Sequence, residues 1–304
     1  MNEHYKPNHS DFLIHWTGKD IDEKYDSGWT TRSSSITNKT VTELYLKRLK
    51  SILKNGLWLT KDPQSEFLNI NGNKIKRPFV ARTCFTEYRL SSVRSHASDY
   101  GRLGIGFKRP FVLNRMGGPM IYYQQKWADN WFFPPHYEGV NSQYRSNDFF
   151  ACFLKPMIKK ESSDISMVYR YYDESEWRII YSQEIEEHLK QQNKTGIMKH
   201  FKKPSNLECY INENNSCKPE YLIPIRDKES VLDEWFALII YPSIQVKVEA
   251  ESDKDIRDLL NKRPNNETKE IEIKKIKNLN YNKTAPWEKY NKVTEIELDA
   301  CRNF

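Results

Sequence analysis

The stretch 12-FLIHWTGK-19 runs three apolar residues straight into His15, Trp16, Thr17 and Gly18. An unbroken apolar run that stops at Thr-Gly reads as a buried strand ending in a turn. His15 has two readings there. It is either a core histidine satisfied by a backbone carbonyl, or a group that the strand end delivers to a ligand. Strand ends place backbone and hydroxyl groups where ligands meet them.

Outward from this strand, residues 18–40 are polar, rich in Ser and Thr and without periodicity, so they read as a long loop or lid. A helix follows. Thr40 and Glu43 have capping-box spacing, Leu46, Leu49, Ile52 and Leu53 recur at helical intervals, and Asn55-Gly56 stops it. Strands are expected at 56-GLWLT-60 and 78-PFVARTCFTE-87, with a polar insert at 61–77 between them. A short helix is expected within 88–101, stopped by Gly101. The run 103-LGIGFKRPFVL-113 reads as a strand broken by glycines and Pro110. Another apolar start stands at 119-PMIYYQQ-125, and 149-FFACFLKPMI-158 reads equally as strand or helix.

Further on, 167-MVYRYYDESEWRIIYS-182 reads as strand, acidic turn, strand, and 235-WFALIIYPS-243 as a strand core followed by VKVEA. A short helix within 252–262 is expected to be capped by Ser252 or Asp253. Many short strands and few helices imply an α+β fold with a bent or split sheet. Residues 1–263 are expected to form one domain, with insertions at about 126–146 and 183–220. Residues 264–304 form a charged C-terminal extension.

The composition fits such a fold. Aromatic residues make up 13% of the 304 and supply a ring-rich core, although only 38% of the chain is hydrophobic. The formal net charge of +7 arises from 48 basic and 41 acidic residues. It reads as a well-solvated surface, or as a basic groove if the charges cluster. Cysteines at 84, 152, 209, 217 and 301 form no CxxC and match no zinc spacing, so reduced structural thiols in the cytoplasm are expected. The polar first eleven residues lack a signal-peptide core, and no apolar run approaches a membrane span.

No Walker A motif, GxSxG or HExxH occurs, and the GxG at 104–106 lies inside a strand. The chemistry therefore falls to His15 and to 173-DESEWR-178. Glu174 and Glu176 stand two apart, so on a strand they face one way. Paired carboxylates repel, and they persist where a cation or hydroxyl uses them. The plain alternative is an acidic turn in which Arg178 pairs one of them.

In order, the chain carries 15-HWT-17, 52-ILKNG-56, 84-CFTE-87, 96-HASDYGRLGIGF-107 and 174-ESEWR-178. This series resembles AbiGi-type abortive phage infection proteins and related bacterial ADP-ribosyltransferase-like proteins. The run 119-PMIYY-123 is distantly similar to DarT-type toxins. The resemblance spans roughly residues 12–262 and implies an ADP-ribosyltransferase-like core that uses NAD. Glu176 would stabilise the oxocarbenium-like ribose, and Glu174 would position the acceptor. His15, Trp16 and Thr17 would hold NAD, Thr86 would support the glutamate or the ribose, and Tyr100 and Tyr122 would stack on nicotinamide. No metal is implied. The acceptor would be nucleic acid or protein in a phage-defence or toxin–antitoxin setting, with a cognate toxin or antitoxin partner. The rival from the same resemblance is a catalytically silent antitoxin that binds nucleic acid or a partner. A third reading is a metal-dependent nuclease using Asp173, Glu174 and Glu176.

Overall fold

The computed structural model describes residues 12–26, 38–61, 67–70, 73–76, 80–87, 90–123, 149–156, 175–204, 219–261 and 293–303. In chain order the elements begin β1 (Phe12–Thr17), α1 (Lys19–Tyr25), α2 (Lys39–Asn55), β2 (Leu57–Leu59), β3 (Phe67–Ile70), β4 (Asn73–Lys76) and β5 (Ala81–Thr86). Next come α3 (Val93–Tyr100), β6 (Leu103–Lys108), α4 (Arg109–Leu113), β7 (Gly118–Pro119), β8 (Ile121–Tyr123), β9 (Leu154–Pro156) and β10 (Glu176–Tyr181). The last are α5 (Gln183–Gln191), β11 (Tyr221–Ile223), β12 (Phe236–Tyr241), α6 (Ile244–Ser252), α7 (Lys254–Asn261) and β13 (Thr294–Glu297). The fold is mixed α+β. Its main sheet has seven strands in the order β13-β12-β6-β1-β5-β10-β7. Strands β1 and β10 run antiparallel to β5, whereas β13 runs parallel to β12.

Two compact units divide the chain. The first holds residues 1–15, 57–88 and 110–223; the second holds 16–56, 89–109 and 224–304. In the first, β5 pairs with β10 along its whole length, from Glu176 opposite Thr86 to Tyr181 opposite Ala81. Phe85, Ile179, Ile180 and Tyr181 on these strands are buried. Tyr181 stacks on Phe201 at 3.9 Å and meets Tyr221 edge-on at 4.8 Å. Helix α5 begins at Ser182, whose hydroxyl accepts the Ile185 N–H at 3.2 Å, an N-cap followed by acidic residues in the first turn. The first part of the expected 183–220 insertion, Gln183–Gln191, is thus helical; residues 205–218 lie outside the described residues.

In the second unit, β6 and β12 are buried at every residue, as strands covered on both faces are. Helix α2 packs Val41, Tyr45, Leu49, Ile52 and Leu53 inward. Its N-cap is Asn38, whose side chain accepts the Thr40 N–H at 2.9 Å, so the Thr40–Glu43 capping box expected from sequence is replaced by a cap two residues earlier. Pro110 does not interrupt a strand. It sits in the first turn of α4, where its missing N–H costs nothing. Of the extension at 264–304, Thr294–Glu297 lies along β12, and Leu298 and Cys301 are fully buried.

The segment 18–40 also differs from its reading as a loop, because Lys19–Tyr25 is helix α1. Little apolar surface holds it, since Ile21 alone among its residues is buried. Charge does the rest. Arg102, 0% exposed, donates to Asp22 from Nε at 2.9 Å and from Nη2 at 2.6 Å, and to Asp26 at 2.6 Å. Tyr45 donates its hydroxyl to Asp22 at 2.7 Å. Gly101, at φ +106°, lets α3 end against this turn. A Cβ there would lie 2.3 Å from the Lys19 nitrogen and 2.5 Å from the Thr17 carbonyl, which no side chain tolerates.

Candidate functional site

Glu176 opens β10 directly after Ser175, a non-glycine residue at φ 39°. Its backbone N–H donates to the Tyr122 hydroxyl at 3.0 Å. Its carboxylate is 7% exposed and accepts on both oxygens, from Arg178 Nε at 2.6 Å and from Lys155 Nζ at 2.8 Å. The geometry follows from local rules. Residues two apart on a strand share a face, which brings Arg178 to Glu176. The parallel pair β8–β9 sets Tyr122 opposite Lys155, so one ribbon supplies both remaining partners. Arg178 Nη1 also donates to the Cys152 carbonyl at 3.1 Å.

Burial by itself raises the Glu176 pKa, but the charges of Arg178 and Lys155 outweigh it and hold the carboxyl at about 2. The neighbouring Cys84 thiol is pushed the other way, up to about 12, by loss of water and by the negative charge of Glu176. The group is therefore an ion triad around an ionised carboxylate, beside a protonated thiol.

Register decides what stands beside it. Ile14 lies opposite Thr86, and Thr86 lies opposite Glu176, so these three share one face of the sheet. Thr86 points its hydroxyl to the Ile14 carbonyl at 3.3 Å. His15 is the next residue along β1 and falls on the opposite face. Its ring stands 5.9 Å from that of Phe85, and Nδ1 donates to the Cys84 carbonyl at 2.9 Å, with Thr83 Oγ1 at 3.3 Å. The backbone carbonyl of the plainer sequence reading is present, but the residue is half-buried rather than part of the core. His15 and Glu176 do not converge.

In the second unit, Trp16 is 7% exposed and its ring lies 6.3 Å from that of His96, which sits 4.5 Å from Tyr100. Thr17 accepts from Arg48 Nη1 at 2.7 Å, while Arg48 Nη2 pairs with Asp20 at 2.6 Å. Tyr100 is 41% exposed. Glu174 and Asp173 lie outside the described residues, as does the 126–146 insertion. Among the described residues, no three His, Cys, Asp or Glu side chains gather as a metal site, and no helix is long and apolar enough to cross a membrane. Cys84 and Cys301 are free thiols.

Sequence reading missed Lys155. A single lysine inside the apolar run 149–158 was the available signal, because a charge there is either exposed or paired. It also missed what the motifs do for each other. Across β5 and β10, Cys84 faces Arg178, Phe85 faces Trp177 and Thr86 faces Glu176. Beyond the strand end, the Glu87 N–H donates to the Ser175 carbonyl at 3.1 Å, and Trp177 Nε1 donates to the Glu87 carboxylate at 2.8 Å. The C-F-T-E and E-S-E-W-R segments are thus two halves of one ladder. Trp177→Phe should lower the urea midpoint by an amount worth about 1.5–3 kcal/mol, since it removes a hydrogen bond to a charged group. Glu87→Gln, which keeps an acceptor, should cost less in the same titration.

No curated protein and no solved structure matches the chain at a significant level. One family model does match, over residues 58–216, and its description reads "Putative abortive phage resistance protein AbiGi, antitoxin". The match covers more than half of the 304 residues and contains both halves of the motif ladder together with Tyr122 and Lys155. The chain belongs to the AbiGi family.

Proposed function

We propose that this protein acts in abortive phage resistance as an antitoxin-type binding protein, without ADP-ribosyl transfer. The family description supports the antitoxin role and, with it, a toxin as partner. The observation that carries the loss of chemistry is the state of Glu176, with both carboxylate oxygens taken by Arg178 and Lys155. A carboxylate that stabilises a developing ribose cation must direct its charge at the substrate. Here that charge is already balanced by the buried Arg178 and the half-buried Lys155. His15, the residue that would share the substrate, stands on the other face of the sheet.

Two measurements test the reading together. Incubation of the purified chain with labelled NAD should give neither transfer nor hydrolysis above buffer. The protein captured with a tagged copy of this chain in its host should arrest growth when expressed alone, and co-expression of the chain should relieve the arrest. NAD turnover that disappears in a folded Glu176→Gln variant would restore the transferase reading. A captured partner with no effect on growth would remove the antitoxin role.

A further inference from the structure

A run of basic residues stands in the first unit, from the end of α5 onward. The segment 188-HLKQQNKTGIMKHFKKP-204 holds five lysines and two histidines and no acidic residue. Lys190 is tied to Glu186 at 2.7 Å. Lys194, Lys199, Lys202 and Lys203 are exposed and make no ion pair among the described residues. Their backbone is fixed. Residues Thr195–His200 form a 3-10 helix, Phe201 is buried in its stack on Tyr181, and Lys202 exchanges both backbone hydrogen bonds with Leu222, at 2.9 and 2.7 Å.

We propose that this basic segment binds the phosphate backbone of a nucleic-acid duplex, without reading bases. Lysine ammonium groups are point charges suited to phosphate oxygens, and such contacts position a protein without sequence preference. The segment does not fit a protein partner as well. Protein interfaces are depleted of lysine and centred on apolar residues, and no large hydrophobic side chain is exposed between 188 and 204. Single strands fit less well too, because they need aromatic platforms for stacking, and Phe201 is already covered by Tyr181. The proposal does not depend on the antitoxin reading.

The test uses the full chain and fluorescence anisotropy with labelled 20-base-pair DNA and RNA duplexes. Four phosphate contacts should make the affinity fall about a hundredfold between 50 and 200 mM salt. The triple variant K199E/K202E/K203E should bind at least tenfold more weakly at 50 mM salt with an unchanged melting temperature. The control K47E/K54E/K254E, which makes the same change in net charge on exposed lysines of α2 and α7, should bind like wild type. DNA and RNA arms of equal strength fit a pure phosphate site, and a preference for one names the duplex it takes. The proposal is overturned by no binding at 50 mM salt, by equal weakening in both triple variants, or by binding of polyglutamate in preference to either duplex. The last of these would assign the surface to an acidic protein.

Discussion

Glu176→Gln should destabilise the protein by about 3–5 kcal/mol, the cost of removing one partner from a buried ion pair. A glutamine keeps the shape but offers one acceptor oxygen where the carboxylate offers two. If that oxygen stays on Arg178 Nε, its amide group must face the Lys155 ammonium, donor against donor. Thermal denaturation near neutral pH reads the loss directly. The pH dependence provides an independent check. The folded carboxyl titrates at about 2, below its ordinary 4.5. A depressed pKa contributes stability that is fully present above the unfolded value and is lost as pH falls through the folded one. That contribution is about 3 kcal/mol. The gap between wild type and Glu176→Gln should therefore be constant from pH 7 to about 5 and narrow between about 5 and 2. A variant that melts like wild type at pH 7 would show that the triad is not structural, and would make Glu176 free for catalysis.

Arg102→Leu should be as damaging, about 3–5 kcal/mol, because it strands Asp22 and Asp26 beside Tyr45. The two sides of this pair balance differently. At Asp22, burial outweighs the arginine and tyrosine partners, and its pKa rises. At Arg102, burial pulls down but the hydrogen bonds to Asp22, with Tyr45 and Asp26, outweigh it, and its pKa rises too. A pair so close to break-even is expensive to break and cheap to replace. The double variant Asp22→Leu/Arg102→Leu should therefore recover much of the loss. Chemical denaturation of the two single variants and the double one forms the cycle that measures it. A double variant no more stable than Arg102→Leu would mean that the arginine holds α1 by packing and not by charge.

The elements set by local pattern were legible in the chain. The apolar run of β1, the helical spacing of Leu49, Ile52 and Leu53, the stops at Gly56 and Gly101, and strands β5, β10 and β12 all stand where periodicity places them. Each depends on neighbours within a few residues, which a sequence displays. The motif series placed the chain in its family for the same reason. Helix α1 could not be read, because its polar residues are held by Arg48 and Arg102, which arrive from 28 and 80 residues away.

The site divides along the same line. The sequence alone determined that Glu176 opens a strand and that Arg178 shares its side. Tertiary structure decided the rest. Lys155 and Tyr122 reach Glu176 through the β8–β9 ribbon, and the β1–β5 register turns His15 to the other face of the sheet. Because strand side chains alternate with a period of two, a shift of one residue in pairing would have put His15 and Glu176 on the same side. No single strand carries that information; it exists only between strands.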